Sequence, residues 1–131
     1  MVDMPKKVLD LIRPDSTKAL VTADKSGVPH AIVCGSIVAL DAKTMAVGEI
    51  LMKTSSKNLA ANDKAAILVV NGMESYLINV KVAGRKTEGE VFDQMNANLA
   101  KMKLKASSVW LLSVQSVFNQ SAGPDAGKKL A

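Results

Sequence analysis

The apolar residues of this chain come mostly in short blocks rich in Val, Ile, Leu and Ala, separated by polar turns. That pattern predicts strands, because a half-buried strand needs only five or six residues and a reversal needs Gly, Asn or Asp. Lys18 to Ala23 predicts a first strand, Asp24-Lys25-Ser26-Gly27 a turn, and His30 to Leu40 a longer second strand. Asp41-Ala42-Lys43 turns the chain into a third strand, Thr44 to Ile50, where Gly48 predicts a bulge or a close approach. Ala65 to Val70 is apolar throughout and predicts a strand buried on both faces. After the Asn71-Gly72 turn, Tyr76 to Val82 alternates, with Tyr76, Ile78, Val80 and Val82 on one side. Ser107 to Val117 predicts a sixth strand.

Three segments predict helices. Val8, Leu9, Leu11 and Ile12 form an apolar side behind Asp3, a candidate cap, and Pro5. A helix of about two turns follows the third strand and ends near Asn62-Asp63. Thr87-Glu88-Gly89-Glu90 predicts a capping box, and Val91, Phe92, Met95, Leu99 and Met102 recur at 3.6-residue spacing behind it. Six strands joined mostly by short turns, with peripheral helices, predict a mainly β, antiparallel, small closed or partly open barrel. Residues 1–120 read as one domain, and 121–131 as a flexible C-terminal tail of linker composition.

Composition narrows the options. Only four residues are aromatic, so Val, Ile, Leu, Ala and Met must build the core, with Met45, Met52, Met73, Met95 and Met102 as filler. The net charge of +5 comes from scattered lysines without an aromatic platform, which argues against nucleic acid and suits small anions. A single cysteine, Cys34, permits no intrachain disulfide and fits a reducing, cytoplasmic setting. No signal-peptide pattern or membrane-length apolar run is expected. With one histidine, His30, and one thiol, a His/Cys metal site lacks ligands.

The chemistry concentrates after the third strand, in Leu51-Met52-Lys53-Thr54-Ser55-Ser56-Lys57-Asn58. Here two ammonium groups and three hydroxyls meet a helix start. Such a start presents unpaired N–H groups and partial positive charge, so it attracts an anion such as a phosphate monoester. One hydroxyl suffices for a cap, and the surplus favours a ligand. Gly35 and Ser36 interrupt a Val/Ile strand, either as an ordinary bulge or because a planar ligand comes close. Cys34 reads as a buried, inert thiol, and Trp110 as core or dimer interface.

Taken together, four features resemble the FMN-binding split-barrel proteins related to pyridoxamine 5′-phosphate oxidase. They are Lys18-Ala-Leu-Val-Thr-Ala-Asp24 with Ser26-Gly-Val-Pro-His30, the strand Ala31–Val38, the block Met52–Leu59 followed by Asn62–Ile67, and a late helix with a final strand. The resemblance implies a six-stranded, Greek-key-like split barrel and a homodimer with FMN between the subunits. It implies that Lys53 and Thr54 hold the flavin phosphate, with Ser55, Ser56 and Asn58 beside them. It places Val33, Cys34, Gly35 and Ser36 along the isoalloxazine ring, with Leu51 and Met52 against the flavin. The Arg-x-His signature of the oxidases proper is missing, so flavin binding without that substrate is implied. The expected function is a small oxidoreductase or electron carrier with a transient redox partner or nicotinamide donor. The alternative is a non-catalytic module that sequesters FMN, haem or another anionic cofactor.

Overall fold

The computed structural model describes residues 1–131. The chain forms one antiparallel sheet of seven strands and three helices. In chain order these are α1 (Lys6–Leu11), β1 (Thr17–Ala23), β2 (Pro29–Val33), β3 (Ile37–Ala39), β4 (Thr44–Gly48), α2 (Lys53–Ala61), β5 (Lys64–Asn71), β6 (Glu74–Lys86), α3 (Glu90–Ala100) and β7 (Val109–Asn119). Within the sheet the strands run β2-β1-β5-β6-β7-β4-β3. No helix is long and apolar enough to cross a membrane.

The seventh strand corrects the expected count of six. Residues 30–40 are two strands, because their halves pair at opposite edges of the sheet. β2 pairs with β1 in the register Leu20↔Ile32, and β3 pairs with β4 in the register Ile37↔Val47. The joint Cys34-Gly35-Ser36 spans the gap. Its Cys34 N–H donates to the Lys18 carbonyl at 2.8 Å, and its Ser36 carbonyl accepts from the Gly48 N–H at 3.2 Å. One continuous segment thus belongs to both edges, and the sheet has to curl until they meet. This is the physical form of a split barrel.

The interior is aliphatic. Leu20, Ile37, Met45, Val47, Ile67, Ile78, Leu112 and Val114 belong to one buried cluster, closed on one side by Val8 and Leu11 of α1 and by Leu59 of α2. Each such side chain contributes roughly 1.5–3 kcal/mol on burial. α3 closes a second cluster, in which Met95 and Leu99 pack on Ala46, Ala106 and Val109. Gly48 permits this, since a Cβ there would lie 3.2 Å from the Met95 side chain. The close approach expected at Gly48 is therefore real.

Other expectations need correction. α1 is capped by Pro5, while Asp3 pairs with Lys43 at 3.2 Å, because the N-terminal segment lies against the β3–β4 turn. The capping box at Thr87 does not form: Gly89, at φ +96°, caps α3 and Glu90 is its first residue. β6 outruns its alternating stretch because β7 stays paired with it to Lys86, across register shifts at Asn79/Val80 and Val82/Gly84. β5 buries Ile67 and Val69 fully but leaves Leu68 and Val70 half-buried, so only one face is fully covered. Met73 and Met102 lie on turns and are exposed, not core filler. Residues 121–131, expected to be free, fold back on β7. The Leu130 N–H donates to the Val117 carbonyl at 2.8 Å, the Asn119 N–H to the Lys128 carbonyl at 2.8 Å, and Ser121 clasps Ser75.

Candidate functional site

β4 ends at Gly48, and the next four residues turn the chain into α2. The expected extension of the strand to Ile50 fails because Glu49 bonds elsewhere: its N–H donates to the Ser108 carbonyl at 2.8 Å, and its carbonyl accepts from Ser107 at 3.1 Å. Leu51 then takes φ +50°, a left-handed conformation unusual for a residue with a Cβ, and its side chain is 100% exposed. Met52 is buried in the core and caps α2 without a side-chain hydrogen bond.

The start of α2 has more donors than protein acceptors. Its first recorded bond runs from the Ser56 N–H to the Met52 carbonyl at 2.9 Å, and the N–H groups of Lys53, Thr54 and Ser55 donate to no protein group. None of the three hydroxyls acts as a cap, contrary to the sequence expectation. The reason is register: Met52 occupies the cap position, so Thr54, Ser55 and Ser56 already lie inside the helix. Ser55 is fully buried, and neither its Oγ nor that of Ser56 has a hydrogen-bond partner. Buried hydroxyls without partners are rare because each one costs about 1–3 kcal/mol of desolvation. Lys53, Thr54 and Lys57 are exposed, and neither lysine forms an ion pair.

The remaining candidates fall into two groups. Asn58 lies in the second turn, not the first, and is buried. Its amide donates to Thr22 Oγ1 on β1 at 3.0 Å, which anchors α2 to the sheet. On the barrel joint, Val33 is 76% exposed, and a Cβ at Gly35 would meet nothing within 4 Å. Cys34 is half-buried, not fully buried, and its thiol lies 3.1 Å from Ser36 Oγ, which itself donates to the Gly48 carbonyl at 2.6 Å. Since α2 also packs on β1 and β2, the joint and the helix share one side of the barrel. His30 is half-buried on β2. Behind the joint, Lys18 is buried with its ammonium on the Arg13 carbonyl at 2.6 Å. Burial lowers its pKa, against the opposing charge of Asp15.

A second polar cluster escaped the sequence reading. Glu49 accepts from Trp110 Nε1 at 3.0 Å, Ser108 Oγ at 3.1 Å and Arg85 Nη2 at 3.2 Å, and the Arg85 guanidinium lies 5.2 Å from the Trp110 ring. Burial alone would raise the Glu49 pKa. The neighbouring Ser56 hydroxyl, Trp110, Ser108 and Arg85 outweigh it and hold the carboxyl below its ordinary value. The Ser56 hydroxyl faces the Glu49 carboxylate, which leaves Ser55 as the buried hydroxyl of α2 with no acceptor beside it. The hydrogen-bond partners of Glu49 lie 36 to 61 positions away along the chain, so no local motif announces the cluster.

A curled antiparallel sheet whose edges are joined through one segment defines the split-barrel class of folds. The match extends along the sequence: residues 4–121 fit the family model described as pyridoxamine 5′-phosphate oxidase, and the chain belongs to that family. An uncharacterized protein of Methanocaldococcus jannaschii is 28% identical over 117 residues, covering 86% of this chain and 78% of that one. Among solved structures, HupZ of Group A Streptococcus superposes with a TM-score of 0.81 at 22% identity, covering 97% of this chain and 100% of the other. An FMN-binding protein from Syntrophomonas wolfei gives 0.78 at 13% identity, with coverages of 90% and 84%. The haem storage protein HutZ from Vibrio cholerae gives 0.64 at 13% identity, with 92% and 97%. These structural likenesses establish the shared fold.

Proposed function

We propose that this protein is a flavoprotein that binds FMN noncovalently at a homodimer interface and acts as a small oxidoreductase or electron carrier. One observation carries the reading: the first turn of α2 holds unpartnered N–H groups and the buried, unpartnered hydroxyl of Ser55, beside two unpaired lysines. A phosphate monoester satisfies all of these at once, as acceptor for the N–H and O–H groups and as counter-charge for Lys53 and Lys57. The residues present therefore fit the phosphate of FMN, with Thr54 as a further exposed donor.

The ring end is supported by the open space at Gly35 and the exposed Val33, which offer a planar group an apolar surface. Leu51, strained and fully exposed, and Val33 bury apolar surface if a second subunit closes over them. Bound FMN supplies hydride and electron transfer. The chain supplies the clamp, the ring surface and exclusion of water. The reducing and oxidising partners are small molecules, with a nicotinamide donor as the first to try.

The visible spectrum of freshly purified protein tests this. We expect two flavin bands that stay with the protein after FMN is added and unbound flavin is removed by gel filtration, and tighter binding of FMN than of riboflavin. A protein that stays colourless with micromolar FMN, or binds both equally, overturns the phosphate clamp. The haem storage protein among the structural relatives keeps a second reading in view, sequestration of haem or another anionic cofactor. A Soret band in place of flavin bands selects it.

A further inference from the structure

From Gln94 to Pro124 the chain carries no acidic residue, and Lys101, Lys103 and Lys105 stand close together inside that stretch. They alternate with Met102 and Leu104 in the connection from α3 to β7. This turn is held at both ends. The Lys103 N–H donates to the Ala100 carbonyl at 3.0 Å and the Leu104 N–H to the Leu99 carbonyl at 3.0 Å, the closing pattern of a helix that ends on a left-handed residue. Farther on, the Asn96 side chain clasps Ala106, accepting from its N–H at 2.8 Å and donating to its carbonyl at 3.3 Å. Leu99 and Ala106 are buried, so the turn Lys101–Lys105 projects between two fixed points.

Its apolar side chains face solvent: Met102 is 60% exposed and Leu104 44%. None of its lysines forms an ion pair. The acids of α3, Glu90 and Asp93, lie in the first turn of the helix, at its far end. Lys103 takes φ +58° where glycine is the usual residue, so its charge is carried against backbone strain. The outcome is a positive, projecting tip with apolar side chains between its charges. Such a tip does not enclose a small molecule, and without an aromatic residue it offers no platform for bases. A single turn also falls well short of the roughly 800 Å² per partner that a specific protein interface buries. An anionic bilayer surface requires neither enclosure nor a large complementary face. Its diffuse charge attracts ammonium groups, and apolar side chains between them enter the headgroup boundary.

We propose that the turn Lys101–Lys105 docks this protein on an anionic phospholipid surface, with the three lysines against the headgroup phosphates and Met102 and Leu104 inserted between them. This assignment does not rest on the FMN reading, since it uses none of the residues at the start of α2.

The experiment is co-sedimentation of the full chain with vesicles of phosphatidylcholine alone and of phosphatidylcholine mixed equally with phosphatidylglycerol. Binding is expected on the anionic vesicles only, and should fall at least tenfold in about 0.5 M salt. Lys101→Ala with Lys105→Ala should weaken it roughly twentyfold, each lysine being worth about fivefold beside such a surface. Met102→Ser with Leu104→Ser, which leaves the charge unchanged, should weaken it about tenfold. Lys25→Ala with Lys128→Ala removes the same charge from exposed sites elsewhere and should bind like the parent. No binding to the anionic vesicles overturns the proposal, and so does an equal loss in the two lysine pairs, which would mean attraction by net charge alone. Binding that needs the lysines but not Met102 and Leu104, and that soluble polyglutamate matches, assigns the turn to an acidic protein chain and overturns the lipid reading. Should Leu104→Ser fail to fold, Met102→Ser decides alone. Failure to take up FMN overturns the flavin reading and leaves the vesicle measurement intact.

Discussion

Only five residues separate Glu49 from Ser55, and their surroundings are opposites. Glu49 is a charged group, 18% exposed, that collects bonds from Trp110, Ser107, Ser108 and Arg85. Ser55 is a neutral group, fully buried, with no partner. The contrast separates polar groups that hold the architecture from those kept for something outside the chain. A satisfied network strengthens the fold and has little left to offer a ligand, whereas an orphaned hydroxyl is a standing cost that only a bound acceptor removes.

Substitutions on the two sides of this contrast have different expected outcomes. The largest expected effect is at Glu49. Glu49→Ala strands the Trp110 indole N–H, the Ser108 hydroxyl and one side of Arg85, and should destabilise the protein by about 2–3 kcal/mol in urea unfolding. The preference for FMN over riboflavin should persist. Next comes Lys53→Ala with Thr54→Ala, both exposed. Stability should move by less than about 0.5 kcal/mol. FMN should bind roughly tenfold to a hundredfold more weakly, with riboflavin spared, as expected when charge-assisted bonds to one phosphate are lost. Equal losses for both ligands would erase the distinction between clamp and scaffold. Ser55→Ala should have the opposite sign from a core truncation. It removes an unpaired buried hydroxyl and should raise the stability of the ligand-free protein by up to about 1 kcal/mol while weakening FMN. Destabilisation there would mean that the hydroxyl has a partner. The smallest effect is on pH dependence. The Glu49 pKa is lowered in the folded state, so its contribution is present above the unfolded value of about 4.3 and is lost as pH falls through the lower folded value. The unfolding midpoint of Glu49→Gln should therefore fall less steeply than that of the parent protein on acidification below about pH 5.

Much of the fold was legible because its signals are local. The strand blocks, the Asp24–Gly27 and Asn71-Gly72 turns and the periodicity of α3 need only a window of a few residues. What failed depended on distant partners. Residues 30–40 look continuous because each half is a good strand, and only pairing with β1 and β4 at opposite edges divides them. Thr87 has the residue type of a cap but lost the position to Gly89, whose positive φ turns the chain out of β6. At the candidate site, the donor-rich helix start was readable from Lys53 to Lys57. The partnerless state of Ser55 was not, because it depends on what α2 packs against. Glu49, Arg85 and Trp110 carry no shared motif and converge only when β4, β6 and β7 align.

The pairing of β4 with β7 has a kinetic consequence. Val47 lies opposite Trp110 at this seam, across more than sixty residues of chain, whereas β5, β6 and β7 follow one another closely enough to zip by short or intermediate loops. Loop-closure entropy delays the long connection, so the seam should set late during refolding. The sole tryptophan stands on it and bonds to the residue just past β4. Its emission should report the final ring closure separately from the earlier far-ultraviolet signal of the meander, without any added label.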